Sequence, residues 1–497
     1  MNGLSTWKTG ARIRIATLLF PPFGLLLLWL APQRLLKKLL GTVGILLFSL
    51  LYSAGVIWLL IRFAGLQVEW RGGYVPSLTF HKTAPDYAAL ERDRQQHAGA
   101  GAAPHASAQQ SPPYWTGFRG PNRDGIYAEY PTPTNWPAAG LRRLWIQPCG
   151  GGYASFVIAN GSAFTIEQRR EQEVVVAYDT NTGRELWTHA WIASFAESMG
   201  GDGPRATPAY DDGRVYALGA LGHLRCLDAA TGKPIWSRNI LSENNTGEPT
   251  YGVAASPLVV GDKLIVLTGA GHGASVACYD KNDGKPLWTA LDDRTGYASP
   301  TVLDLAGRPQ LIVSAESRTV GLQIADGKLL WEYPWRVLNN QMPIAQPVQV
   351  NSNRFLLSAG YFTGSALIEV TGDSPPLSAK TIWKNKNLKN KFSSSVFWRG
   401  YIYGLDEDLL TCLDAQTGER KWKAGRYGYG QLLLSSGCLI LLSGDGELAL
   451  VKATPENHEE LARFPAIHGK TWNYPAIADR KLFVRNAFEM ACFELVP

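Results

Sequence analysis

The feature that most constrains this chain is a short phrase that keeps returning. It reads Asp179-Thr-Asn-Thr-Gly183-Arg-Glu-Leu-Trp187, then Asp228-Ala-Ala-Thr-Gly232-Lys-Pro-Ile-Trp236 and Asp280-Lys-Asn-Asp-Gly284-Lys-Pro-Leu-Trp288. A shortened copy, Ala325-Asp326-Gly327-Lys-Leu-Leu-Trp331, precedes a full one, Asp414-Ala-Gln-Thr-Gly418-Glu-Arg-Lys-Trp422. The chemistry is that of a hairpin turn: Asp bonds back to the turn backbone, and Gly supplies a positive φ. The strand after the turn delivers an indole at one fixed place per repeat, as packing between repeats requires. Trp383 follows a divergent turn, Phe464 stands where a Trp is expected, and Trp145 precedes the first full copy, so eight marks run from 145 to 464 at steps of 39 to 52 residues.

A second register agrees with the first. Each repeat opens with a small or polar residue, often before Pro: Ser155-Phe156, Thr207-Pro208, Ser256-Pro257, Ser299-Pro300, Gln346-Pro347, Ser394-Ser395 and Tyr474-Pro475, with a poor copy near Leu432. Alternating runs such as Arg214–Leu218 and Lys263–Leu267 predict strands between the marks. Four short strands per repeat make a propeller blade. The expected fold is all-β, an eight-bladed β-propeller over residues 114–497. After Tyr474-Pro475 only three strands' worth of chain remains, so strand 141–147, carrying Trp145, is expected to complete the last blade and remove free sheet edges.

The Tyr178-Asp179-…-Gly183-…-Trp187 and Leu227-Asp228-…-Gly232-…-Trp236 pattern resembles the tryptophan-docking repeat of the quinoprotein-like, or pyrroloquinoline-quinone-like, propeller family. The lead-in Trp115-Thr-Gly-Phe-Arg-Gly-Pro-Asn-Arg-Asp-Gly125 is similar to that of bacterial members. A WD40 assignment fails because no Trp is followed by Asp. The resemblance implies one of two functions. Some members are alcohol or polyvinyl-alcohol dehydrogenases that hold the quinone (PQQ) and calcium in the central channel, typically against an adjacent Cys–Cys pair. Others resemble the outer-membrane assembly-factor propeller, which binds partners and carries no cofactor. Cys149, Cys226, Cys278, Cys412, Cys438 and Cys492 are neither adjacent nor in CxxC spacing, so buried free thiols are expected and zinc spacing is absent. No acidic cluster offers the roughly six oxygen ligands of calcium.

The N-terminal residues 1–66 read as a membrane module of one or two apolar helices. Ile13–Leu30 is apolar but holds Pro21 and Pro22, whereas Leu39–Ile61 is long enough to span a bilayer core of about 30 Å. The net charge of +6 is uneven: residues 1–71 hold eight basic side chains against Glu69 alone, +7, leaving −1 for residues 72–497. The large domain therefore has no basic balance to attract nucleic acid. Arg34, Lys37 and Lys38 favour the cytoplasm, which places the propeller on the periplasmic side of the inner membrane. Lys8, Arg12 and Arg14 oppose this if residues 13–30 also span. Residues 67–113 read as a polar segment, with a short charged helix over 86–96 and a flexible tether over 98–113.

Candidate binding residues cluster before the inner strands. The loop from Glu197 through Asp202 to Arg205 offers glycine-rich backbone and a guanidinium for an anionic group, or an internal Arg205 pair with Asp202 or Glu197. Tyr153, Tyr251, Tyr297, Tyr429, Trp472 and Tyr474, with Asn473, are placed at one mouth of the channel, where aromatics suit a flat cofactor, a sugar or a peptide, and equally suit blade packing. His272, in Gly269-Ala-Gly-His272-Gly, reads as part of a strand-to-strand hairpin. No G-x-S-x-G elbow or H-E-x-x-H pair is present, and no catalytic or metal-binding residue is assigned. The leading expectation is a membrane-anchored scaffold for a protein, peptide or glycan partner; the alternative is a PQQ-dependent dehydrogenase acting on an alcohol or sugar.

Overall fold

The computed structural model describes residues 2–73, 75–80, 85–97, 114–294 and 296–496, and divides into two units, Met1–Thr83 and Ala84–Pro497. In the first unit the apolar stretch 13–30 is not one helix. Pro21 follows Phe20, whose backbone is extended (φ −155°) because the residue before a proline is driven out of the helical region. Helix Asn2–Leu19 ends there and Pro21–Leu30 begins. The latter, at 10 residues, rises about 15 Å, half a bilayer core. Leu35–Phe63 has 29 residues and a mean hydropathy of 2.2, and is the candidate transmembrane span. A two-stranded hairpin, Gln67–Glu69 with Ser77–Thr79, follows.

In the second unit the charged helix is Tyr87–His97. It is tied to the propeller by Arg94–Glu185 (2.9 Å) and by Arg170, which meets Glu91 and lies over Tyr87. The tether expected over 98–113 lies outside the described residues.

The propeller has eight antiparallel sheets around one axis. Blades 1 to 7, numbered in chain order, span Val157–Ile192, Ala209–Asn239, Leu258–Ala290, Thr301–Pro334, Val348–Asn385, Val396–Arg426 and Gln431–Pro465. Blade 8 joins Ala476–Ala478, Lys481–Arg485 and Glu489–Glu494 to Arg143–Pro148, with Trp145 opposite Cys492.

The repeat shows why its Gly and Trp travel together. Each indole lies on the turn of the next blade. A Cβ built on Gly183, Gly232, Gly284, Gly327 or Gly418 would sit 2.5–2.8 Å from Trp145, Trp187, Trp236, Trp288 or Trp383, or a neighbour of it. Gly140 meets Phe464 in the same way, so the degenerate aromatic does the same job. The indole N–H of Trp145, Trp187, Trp236, Trp383 and Trp422 donates to a carbonyl of the next turn at 2.9–3.1 Å. Trp331 differs: it donates to Gln310 of its own blade and packs on Phe355 of the next.

The second register forms an inner ring. The N–H of Ser155, Thr207, Ser256 and Gln346 donates at 2.9 Å to the hydroxyl of Thr207, Ser256, Ser299 and Ser394, each the opening residue of the following blade. Tyr474 reaches past blade 7: its hydroxyl takes the Ser394 N–H of blade 6 while its carbonyl accepts from the Ser155 hydroxyl of blade 1. The seventh opening residue is Gln431, a longer equivalent that hid the register near Leu432.

The seam between blades 8 and 1 carries buried charge. Arg485 donates to Thr165 (2.7 Å) and Gly150 O (2.9 Å), with Glu167 3.7 Å away. Burial alone would raise the Glu167 pKa, but Arg169 and Arg485 outweigh it and hold the carboxyl below its ordinary range. All six cysteines are buried and free.

The Gly232 position carries two constraints, a φ of +68° and the Trp187 ring, whereas Gly213 (φ +74°) has only the first, with open space around its Cβ. Gly213→Ala should therefore cost about 1 kcal/mol in propeller stability. Gly232→Ala should cost about 2–4 kcal/mol, since overpacking adds to the same backbone term. Paired unfolding midpoints check the difference.

Candidate functional site

The lead-in does not end at the surface of blade 1; it runs along the channel. Trp115 bridges Ile158 of blade 1, and Thr116 O accepts Tyr210 N of blade 2. Arg119 donates to Ser395 O before blade 6. Arg123 donates to Ser256 O (3.3 Å), Pro300 O (2.8 Å) and Pro257 O, before blades 3 and 4. Ile126–Tyr127 then pairs in parallel with Leu434–Ser435, making blade 7 five-stranded. The lead-in thus touches blades 1, 2, 3, 4, 6 and 7, and Phe118 meets Tyr474 before blade 8 edge-on at 5.0 Å. Burial pulls the Arg123 guanidinium down to about 9, still charged at neutral pH, and carbonyl dipoles hold it. The sequence reading found this segment but gave it no place, because Gly, Pro, Asn and Arg in aperiodic order predict neither strand nor helix.

The candidate aromatics lie just upstream of the opening residues, where the inner strands begin. One register position builds this mouth: the residue two before each opening residue. Around the ring these are Tyr153, Arg205, Ala254, Tyr297, Ile344, Phe392, Tyr429 and Trp472. Four of them form a continuous row, Tyr153–Trp472 (ring centroids 5.5 Å), Trp472–Phe392 (4.6 Å) and Phe392–Tyr429 (5.6 Å). Tyr251 and Tyr297 form a separate edge-to-face pair at 5.6 Å. Next to Ala254 and Tyr297 lies a cavity of about 270 Å³, whose other walls include Glu248, Thr268, Arg294 and Met342. Phe392 was missed from sequence, although its fixed offset from Ser394 is the signal that finds it.

Cations already sit on these rings. Lys470 lies 3.9 Å over Trp472 and 5.7 Å over Tyr153, and donates to Gly200 O (2.7 Å). Lys391 lies over Tyr361 (4.7 Å), Tyr429 (5.0 Å) and Phe392 (5.5 Å), with Glu407 3.9 Å away. Burial lowers the Lys391 pKa, partly offset by Glu407. Arg205 stacks on Phe195 (4.7 Å) and Tyr153 (5.6 Å), and burial lowers its pKa. Its hydrogen bonds go to Gly201 O and Gly203 O (both 2.8 Å) instead of to the carboxylates of Asp202 or Glu197. Those carboxylates cap their own loop: Glu197 accepts Met199 N, and Asp202 accepts Glu197 N. The Gly200 carbonyl also receives the Tyr153 hydroxyl, so the 197–205 loop is bound to the mouth. Asn473 is buried beneath Trp472 and donates to Gly152 O and Ala154 O. His272 lies in a hairpin of blade 3, at a positive φ of 64°.

A quinone with calcium does not fit these residues. Arg119 and Arg123 lie in the channel, bonded to carbonyls of the inner ring, and the Tyr474 side chain reaches from blade 8 to Ser394. The cysteines are dispersed, and among the described residues no three His, Cys, Asp or Glu are grouped to hold a metal.

Fold and site together define a tryptophan-docked, eight-bladed propeller with a plugged axis and an aromatic mouth. The family model described as outer membrane protein assembly factor BamB matches residues 170–424, about half of the chain, and the chain belongs to that family of PQQ-like propellers. BamB of Burkholderia pseudomallei is 28% identical over 163 residues, 32% of this chain and 39% of that one; BamB of Yersinia pestis is 24% identical over 290, 54% and 68%. The matched stretch thus spans well under two thirds of the Burkholderia relative. A quinohemoprotein alcohol dehydrogenase of Comamonas testosteroni is 33% identical over 120 residues, 23% of this chain and 16% of that one. Among solved structures, BamB from Moraxella catarrhalis (TM-score 0.53, 16% identity, 72% of this chain and 98% of that one) shares the fold. A quinohemoprotein alcohol dehydrogenase of Pseudomonas putida does so too (0.56, 14%, 78% and 80%).

The most perturbed carboxyl lies between blades 1 and 2. Glu173 is fully buried, accepts from Ala220 N (2.7 Å) and Trp191 Nε1 (3.1 Å), and burial raises its pKa to about 7. Because the folded pKa exceeds the unfolded one, the folded state binds the extra proton between about pH 4.5 and 7, and stability from this group falls as pH rises through that window. His189 and His223 beside it, lowered by burial and then by Arg225, push the other way below their unfolded pKa. The clean observable is therefore a difference. The unfolding midpoint of the native chain minus that of Glu173→Gln should decline from pH 4.5 to 7, by the equivalent of about 2–3 kcal/mol.

Proposed function

We propose that this chain is a membrane-anchored binding and scaffold propeller that faces the periplasm and takes its partner at the aromatic mouth. The observation that carries this reading is the row Tyr153–Trp472–Phe392–Tyr429, half-buried where the inner strands begin. Large aromatic faces with a polar surround are what partner-binding surfaces use. The names of the BamB relatives, assembly factors rather than catalysts, support the same reading. The dehydrogenase alternative lacks residues to carry it, since the axis offers arginines and a tyrosine where a quinone and its metal need space and oxygen ligands.

A single span also removes the conflict over orientation. With Leu35–Phe63 as the span, Arg12, Arg14, Arg34, Lys37 and Lys38 all precede or begin it, and one cytoplasmic side accommodates them all. The propeller then follows on the periplasmic side of the inner membrane.

Because the native thiols are buried, a single engineered one reports the side directly. Ser374→Cys, at an exposed position, should react with a membrane-impermeant maleimide in intact spheroplasts; labelling only after lysis reverses the orientation. A photoreactive residue at position 392 should crosslink to a discrete partner in membranes, and Trp472→Ala should reduce that product about tenfold or more. Substrate-dependent dye reduction after addition of PQQ and calcium would replace the scaffold reading with the dehydrogenase one.

A further inference from the structure

The two helices before the candidate span fold back on one another. A Cβ built on Gly24 would sit 2.7 Å from Thr17 Cα, so the chain reverses at Pro21-Pro22. Further from the turn, Ile13 and Leu28 share one buried cluster with Ala31 and Ile45. Asn2–Leu19 and Pro21–Leu30 are therefore the antiparallel arms of a hairpin that packs on Leu35–Phe63. A Cβ on Gly41 would lie 2.8 Å from Leu28 Cδ2, Trp29 Nε1 donates to Thr42 Oγ1 (3.0 Å), and Lys38 Nζ donates to Trp29 O (2.8 Å).

Two observations give the hairpin's reach. Its second arm rises about 15 Å, half of a bilayer core of about 30 Å. Along Leu35–Phe63, side chains are shielded at Gly41, Thr42, Ile45, Phe48 and Ser49, then exposed without a break from Leu50 to Leu59. Leu50 is the midpoint of the apolar stretch Leu39–Ile61, so the cover stops half-way along the span.

The apex is built for hydrocarbon. Leu18, Leu19, Phe20 and Phe23 are 51–74% exposed there. A helix start ordinarily leaves N–H groups for water to satisfy, and lipid offers no water. Here Pro21 and Pro22 have no N–H, Phe20 N donates to Ala16 O (2.8 Å), and Phe23 N and Gly24 N donate to Phe20 O (3.0 and 3.3 Å). Charge gathers at the opposite end. Residues 1–66 contain no Asp or Glu, and Arg12, Arg14, Arg34 and Lys37 are exposed. Arg14 Nε turns back to Gly10 O (3.4 Å), away from the apex, as a cation at the edge of a lipid layer does.

We propose that Asn2–Leu30 is a re-entrant hairpin: it enters the leaflet on the side of residues 31–34, turns among acyl chains at mid-depth and returns, leaving its basic side chains among the lipid phosphates. This rests on Leu35–Phe63 being a span, and the leaflet is the cytoplasmic one in the orientation proposed above.

The test uses the full chain with single engineered thiols. A Cβ on Gly10 meets no atom within 4 Å among the described residues, and Gln33 lies in the loop after the second arm. Gly10→Cys and Gln33→Cys should both resist an impermeant maleimide in spheroplasts and both react in inverted vesicles, opposite to Ser374→Cys. In nanodiscs of phosphatidylethanolamine and phosphatidylglycerol, a nitroxide on Phe20→Cys should match one on Leu50→Cys in its ratio of oxygen to nickel-chelate collisions. Both should exceed Gln33→Cys several-fold. Gly10→Cys and Gln33→Cys on opposite sides would mean that the first segment crosses the bilayer, which overturns the hairpin. A Phe20→Cys label as shallow as that on Gln33→Cys overturns it too, since the pair then lies on the surface. All three thiols switching sides together reverses the orientation and leaves the hairpin standing in the other leaflet. Gln33→Cys and Ser374→Cys on one side removes the span and the hairpin with it.

Discussion

A ring of sheets depends on its seam, and here one stretch of chain makes the seam twice. Arg143–Pro148 supplies the fourth strand of blade 8, so that Trp145 lies on Gly183 of blade 1 as Trp187, Trp236, Trp288 and Trp383 lie on the turn glycine of their neighbours. Earlier in the chain, the lead-in runs through the channel and bonds to blades 1, 2, 3, 4, 6 and 7. The first clasp gives blade 8 its fourth strand and seats Trp145 on blade 1; the second joins blades that are not neighbours. Loop-closure entropy is thereby offset at the periphery and at the centre by the same N-terminal segment.

The second clasp also decides what the channel can do. Arg119 and Arg123 fill channel space with side chains bonded to the carbonyls of the inner ring. Two positive charges buried among carbonyl oxygens are tolerated because each guanidinium is a planar fork of donors that matches several carbonyls at once.

Much of the architecture was legible in the sequence because two independent constraints act on the same glycine. Gly232 needs a positive φ and also leaves room for Trp187, so neither residue drifts without the other, and the spacing is visible by eye. The mouth was half legible. Tyr153, Tyr297, Tyr429, Trp472 and Arg205 were named from the sequence and share an offset from the opening residues, but Phe392, at the same offset, was not among them. The partners of Arg205 were not legible at all, because backbone carbonyls carry no sequence signal. The lead-in was visible as a segment, but its place was not legible for the same reason: its interactions are nearly all with main-chain atoms.

Hydrogen exchange by mass spectrometry on the full chain tests the threaded lead-in most directly. Ile158, Tyr210 and Leu434 give their amides to Trp115, Thr116 and Gly125. If the lead-in occupies the axis, these three amides and the segment 115–126 exchange as slowly as the inner strands around them. Exchange of that segment on the timescale of a free peptide, with those three amides unprotected, would contradict it.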